Sequence, residues 1–206
     1  MPRMKLLLLF ATLFTNLTVF ATSQEIGLIM IQRGGSVVIR GHQTLPTKVG
    51  LTILEKDQIQ TDTDSYLKIV MKDRNVLVIT GGSQITLENY SIKKNVSIQL
   101  DKGSLRHIVQ KNYDGQKRKY EVKTAAAVMG VRGTDFISEF DTNKNETVLC
   151  TLEGKASFRK LDSEKEFFAE KDQFIRFKST DATPEVKAVK TEWLKKALER
   201  HPLEQL

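Results

Sequence analysis

The residues of this chain that could do chemistry are few and poorly grouped. His42, His107 and His201 stand far apart, and none has a cysteine or second histidine at zinc-ligand spacing. Serine, histidine and aspartate all occur, yet no G-x-S-x-G elbow, HExxH helix or phosphate loop organises them. Asp57, Asp62 and Asp64 fall within Asp57-Gln58-Ile59-Gln60-Thr61-Asp62-Thr63-Asp64-Ser65 and could offer oxygens to calcium. The glycine and final glutamate of an EF-hand loop are missing there, so no metal site is expected. Cys150 lies in the strand-like run Val148-Leu149-Cys150-Thr151-Leu152, where a thiol is expected to be buried and inert. A single cysteine allows no internal disulfide, so packing alone must hold the fold. The expectation is a non-enzymatic protein with no catalytic residue, no metal and no cofactor.

Arg132 is the polar residue that stands out. It lies in Ala127-Val128-Met129-Gly130-Val131-Arg132-Gly133-Thr134-Asp135-Phe136, between two glycines three residues apart. Glycine serves where backbone takes positive φ or approaches another chain closely. The spacing predicts a compact corner between two strands. Arg132 then has two readings. Its five donors could tie the corner to facing carbonyls or to a carboxylate such as Asp135, or they could meet an anionic group on a partner.

The elements that must position these residues read as β-structure. Period-two alternation with β-branched residues predicts strands at Ser36 to Ile39, Tyr66 to Met71, Val76 to Thr80, Gln84 to Leu87 and Val96 to Leu100. More are predicted at Leu105 to Val109, Tyr120 to Thr124, Phe136 to Phe140, Thr147 to Leu152 and Phe174 to Phe177. Turns are expected at Gly34-Gly35, Lys72 to Asn75, Gly81-Gly82, Asp101-Lys102-Gly103, Asp114-Gly115 and Asp141 to Asn145. Gly35 to Arg40 followed by Glu55 to Ile59 echoes Gly154 to Arg159 followed by Glu170 to Phe174. A repeated layer or chance likeness both account for that echo.

The C-terminus changes character. Thr183 suits a helix cap, Pro184 a first helical position, and Glu185 the positive helix end. Val186, Val189, Trp193, Leu194, Ala197 and Leu198 then share one helical face, Arg200 falls in the last turn, and Pro202 stops the helix. That helix either packs on its own domain and covers a sheet edge, or docks a partner through Trp193, Leu194 and Leu198.

The chain has 206 residues, with 32 basic and 25 acidic, for a net charge of +7. Arg3 and Lys5, the apolar stretch Leu6 to Val19 and the small-x-small site Val19-Phe20-Ala21 predict a cleaved signal peptide over 1–21. Loss of Arg3 and Lys5 leaves about +5 on the mature chain. The basic residues are dispersed, with Lys93-Lys94, Lys117-Arg118-Lys119 and Lys195-Lys196 densest, which fits solvated charge or an anionic envelope surface. Export argues against nucleic acid. No later apolar run is long enough to anchor the mature chain in a bilayer.

The glycine–arginine corner and its flanks resemble the FecR family of bacterial envelope proteins. Gly34-Gly35-Ser36-Val37, Leu54 to Thr61 and Asp64 to Ile69 resemble its early segments. Leu100-Asp101-Lys102-Gly103-Ser104-Leu105 resembles its L-x-x-G-x-L strand entry, and Gly154 to Ser157 its closing strand. Asp73-Arg74-Asn75 replaces the usual Asp-Gly-Ser, and Ala156 replaces a valine. The match runs over 34–178. It implies an all-β domain, a twisted solenoid or sandwich, over 22–180, with a short amphipathic helix within 181–206. The family's best-known members carry a cytoplasmic segment that controls a sigma factor. Here the apolar stretch starts almost at residue 1, so what carries over is the β-module alone. The expectation is an interaction or signalling-accessory protein, periplasmic or at the surface of a Gram-negative cell, with an envelope protein as partner. The alternative is a binder or carrier of an anionic glycolipid or cell-wall glycan.

Overall fold

The computed structural model describes residues 24–91, 95–111, 119–131 and 133–203. The leader read over 1–21, Lys93–Lys94, Lys117–Arg118, the Asp114–Gly115 turn and Arg132 lie outside the described residues. The described residues form seventeen strands and one helix. The strands are β1 (Glu25–Arg33), β2 (Ser36–Arg40), β3 (Gln43–Pro46), β4 (Thr52–Leu54), β5 (Gln58–Thr61) and β6 (Tyr66–Met71). They continue as β7 (Val76–Thr80), β8 (Gln84–Tyr90), β9 (Val96–Ile108), β10 (Tyr120–Lys123), β11 (Ala127–Val131) and β12 (Asp135–Asp141). Last come β13 (Glu146–Glu153), β14 (Lys155–Lys160), β15 (Glu166–Glu170), β16 (Gln173–Lys178), β17 (Glu185–Ala188) and helix α1 (Thr191–Arg200).

The strands form one hydrogen-bonded sheet folded into two layers. Layer 1 runs β4-β1-β6-β7-β9-β12-β13-β16-β17. Layer 2 runs β3-β2-β5-β8-β9-β10-β11-β14-β15. The sheet is open, not a barrel, and every pairing is antiparallel except β9 with β10. Alternation decides which side of each strand is buried. Leu67, Ile69, Leu105, Phe136, Leu149 and Ile175 of layer 1 meet Val38, Ile59, Ile85, Ile98, Met129 and Phe158 of layer 2 in one core.

Strand β9 belongs to both layers. Its first half pairs with β8 and β10, and its second half with β7 and β12. Asp101-Lys102-Gly103 is therefore a bend inside one strand, not the turn that its composition suggests. Gly103 makes it possible at φ 93. A Cβ there would lie 2.3 Å from Ser83 Oγ and 2.5 Å from Ser83 Cα, so only glycine fits.

The C-terminal helix is shorter than its sequence pattern. Glu185 to Ala188 pair with β16 as an edge strand, so Val186 is not on a helix, and α1 begins at Thr191. Pairing satisfies the backbone edge of β16, and Glu185 accepts from Arg176 across the strands at 2.6 Å. That tertiary gain overrides the local Thr-Pro-Glu start signal.

Candidate functional site

Two places gather the residues singled out by sequence: the corner after β11, and the outer face of layer 1 under α1.

At the corner the chain leaves layer 2 at Val131 and enters layer 1 at Asp135. Gly133 takes φ 58. The Thr134 carbonyl accepts from Val109 N–H at 2.9 Å, and the Thr134 hydroxyl donates to the Lys155 carbonyl at 3.3 Å. Gly130 has a different role. It sits within β11, where an added Cβ would come 2.8 Å from Ser157 Oγ on β14. Asp135, one of the carboxylates considered for Arg132, is instead held by Arg106 of β9. Arg106 Nε donates to Oδ1 at 2.9 Å and Nη2 to Oδ2 at 2.6 Å.

The outer face of layer 1 carries a row across five strands: Val78, Arg106, Ile137, Cys150 and Phe174. Helix α1 covers it. Ala197 is fully buried against Ile137 and Cys150, and Trp193 packs there beside Leu152, Phe174 and Val189. The helix thus lies on its own domain, over a sheet face and not a sheet edge. Burial pushes the Cys150 thiol up to about 12, with Glu139, Asp172 and Asp135 adding to the shift. Leu194 is half-buried and Leu198 exposed.

The end of α1 is fixed by polar contacts. Arg106 Nη1 donates to the His201 carbonyl at 3.0 Å, and Tyr66 Oη to the Pro202 carbonyl at 2.6 Å. His201 Nδ1 lies 2.9 Å from the Ala197 carbonyl and Nε2 lies 2.8 Å from Ser104 Oγ. Arg200 donates to Glu139 Oε1 at 2.9 Å, which Ser104 also reaches at 3.1 Å. Burial brings His201 down to about 4; its bond to Ala197 opposes this, and Arg200 and Arg106 add to it. Sequence reasoning missed this network because the helix end and its partners on the sheet lie 61 to 136 residues apart in the chain. One signal was present: Ser104 and Arg106 alternate with Leu105 and His107, so they face away from the core.

Two depressions flank the helix. A polar groove of about 600 Å³ runs past Asp64, Lys102, Glu139, Asp141 and Arg200. A cleft of about 400 Å³ has Val148, Phe174, Val189 and Trp193 among its walls, with Glu146 and Arg176 nearby.

The other candidates separate. Asp57 is buried and receives Arg40 Nη2 at 2.7 Å and Leu54 N–H at 2.8 Å, so its charge serves the fold. Among the described residues no group of three or more His, Cys, Asp or Glu could hold a metal ion. His107 is a satisfied core residue. It stacks on Phe136, with Tyr120 Oη and Ser138 Oγ each 2.9 Å from a ring nitrogen. No helix among the described residues is long and apolar enough to cross a membrane.

Residues 57–157 match the family model described as FecR protein, from the start of β5 into β14 and across the corner. The chain carries a FecR domain. The matched span is narrower than the 34–178 resemblance seen in sequence, and it leaves β1 to β4, β15 to β17 and α1 outside. The FecR-domain fold is shared with two crystal structures of a candidate anti-sigma factor from Parabacteroides distasonis. They align with TM-scores of 0.58 and 0.57 at 13% and 14% identity, over 68% of this chain. This chain spans 63% and 64% of those structures, less than two thirds of their length. No curated protein matches the chain.

Proposed function

We propose that this FecR-domain protein is a non-enzymatic, exported module of the bacterial cell envelope that acts by binding another envelope protein. The observation that carries the reading is the FecR match over a filled two-layer sandwich, whose interior is taken by side chains such as Tyr90, Tyr120, Phe136 and Phe158. Among the described residues the space between the layers is packed with side chains, which favours a protein partner over a glycolipid. The likeness to a candidate anti-sigma factor supports a signalling-related role. The basic n-region and apolar stretch over 1–21 support export.

Two measurements test this. Mass spectrometry of the protein from a periplasmic extract should find a mature N-terminus at Thr22. Photo-crosslinkers placed at Trp193, Val148 and Leu198 should capture one envelope protein in cells, while crosslinkers at Gln99 and Glu121 on the outer face of layer 2 should not. An intact leader would overturn the export reading. Equal capture from both faces, or none from either, would overturn the interaction reading.

A further inference from the structure

Helix α1 is attached to the sandwich in an unusual way. Its ten residues are too few to be stable as an isolated helix, so helix formation and docking are one event. Its N-cap, Lys190, makes no side-chain cap bond. Ala197 is the helix's one fully buried side chain, and Thr191, Glu192, Lys195, Lys196 and Glu199 are exposed. No residue of α1 belongs to the main core between the layers; Ala197 and Trp193 belong to a separate small cluster with Ile137 and Cys150. Losing the helix therefore leaves the main core intact.

Beside this small apolar contact, the segment is fastened by polar groups concentrated at His201. The ring is fully buried. From β9 it faces Ser104 and Arg106, from β12 Glu139 and Asp135, and from its own helix the Ala197 carbonyl and Arg200. On β6, Tyr66 holds Pro202 and Lys68 is buried in the same outer face. Both carboxylates already have arginine partners: Asp135 takes Arg106 and Glu139 takes Arg200. With the ring neutral, Nδ1–H donates to Ala197 and Nε2 accepts from Ser104. A second ring proton could still be accommodated by hydrogen bonds, because the Ser104 hydroxyl can turn to Glu139. Water exclusion and two neighbouring guanidinium groups are what oppose it.

We infer that residues 191–203 form an acid-released strap: protonation of His201 frees the helix from layer 1 and uncovers Ile137 and Cys150 while the sandwich stays folded. The direction follows from linkage. Docked, the ring resists a proton until about pH 4. Released into water, it takes one near its ordinary value of about 6.5. Acid in that window therefore favours the open form, by about seventyfold in the equilibrium between pH 7.5 and 4.5. This is a property of the chain alone and stands whether or not the interaction reading holds.

The chain supplies its own reporters. Trp193 is the sole tryptophan and Cys150 the sole cysteine, and both lie at the strap's contact. The purified protein is titrated from pH 7.5 to 4.5 while following Trp193 emission and the rate at which Cys150 reacts with 4,4′-dithiodipyridine, a reagent that works in acid. Far-UV circular dichroism follows the sheet. The expected result is a red shift and a tenfold or greater rise in labelling, with the β signal unchanged. In His201→Gln both readouts should be flat with pH, whether that variant is docked or open. Hydrogen exchange on the unaltered protein gives an independent check. The Leu194 and His201 amides should lose protection in acid before those of β9 and β12. A labelling rate that is flat in the unaltered protein, a rise retained in His201→Gln, or loss of the β signal at the same pH would overturn the inference.

Discussion

Gly154 packs against Gly133: a Cβ on Gly154 would lie 3.0 Å from the Gly133 carbonyl oxygen and 3.4 Å from Thr134 Oγ1. Here two crossings between the layers stack on one another, β11 to β12 and β13 to β14. The corner that carries the family resemblance is thus one half of a paired junction. Both glycines take positive φ, 58 and 83. Gly133→Ala and Gly154→Ala should each destabilise the protein by about 1–3 kcal/mol through left-handed strain and crowding. The double variant should depart from additivity, since the two sites touch. Urea denaturation with unchanged slope and lowered midpoints checks this.

Gly103 should be less replaceable still. Its Cβ would strike the Ser83 backbone as well as its hydroxyl, at the point where β9 changes layer. Gly103→Ala should cost more than about 3 kcal/mol or abolish folding. Lys102→Ala, at the exposed neighbour, should stay within about 0.5 kcal/mol of the parent. Thermal denaturation of the two variants separates the bend from the mere loss of a side chain.

Strands were legible where alternation was clean and both neighbours were present. Tyr66 to Met71 and Val76 to Thr80 coincide with β6 and β7. Edge and short strands were not. β3, β15 and β17 each pair with one neighbour only and have weak patterns, and pairing rather than propensity makes them strands. β1 was missed because its run, Glu25 to Arg33, does not alternate cleanly. The echo between the two halves is partial. Gly35 to Arg40 and Gly154 to Arg159 both enter layer 2 from layer 1, but Gln58-Ile59 lies in layer 2 and Gln173-Phe174 in layer 1. Of the site, the corner glycines were readable because left-handed backbone has a residue signature. The His201 network had none, because it depends on a fold that brings residues 66, 104, 106, 139 and 201 together.

His107 should give the folded sandwich its own acid sensitivity, separate from the strap. Burial holds the ring well below its ordinary value, and any positive charge on nearby His201 lowers it further. The unfolded chain takes a proton near pH 6.5, while the folded core does not. The contribution is thus fully present above that value and is lost as pH falls below it. Stability should drop by up to about 1.4 kcal/mol per pH unit from this residue between pH 6.5 and 5. His107→Gln, which can keep one bond to Tyr120 or Ser138, should lower stability at pH 7.5 yet remove that slope. Urea midpoints at four or five pH values measure it. An unchanged slope would show that His107 is not the titrating group.

Arg106 links the corner to the strap, and its loss should be felt at both. Three of its donors are committed, two to Asp135 and one to the His201 carbonyl, and its side chain is 8% exposed. Arg106→Ala leaves a part-buried carboxylate and a carbonyl without partners and should cost about 3 kcal/mol. Arg106→Lys should not restore this, because one ammonium cannot span the Asp135 fork and still reach the helix end. Arg106→Met with Asp135→Leu removes both charges together and should recover most of the sandwich stability, since a buried pair is often worth little against apolar packing. It should not recover the strap, whose His201 carbonyl still lacks its donor. Urea midpoints near those of the parent, with fast Cys150 labelling at pH 7.5, would be the signature. Slow labelling in that double variant would show that Ser104 and Tyr66 hold the strap without Arg106.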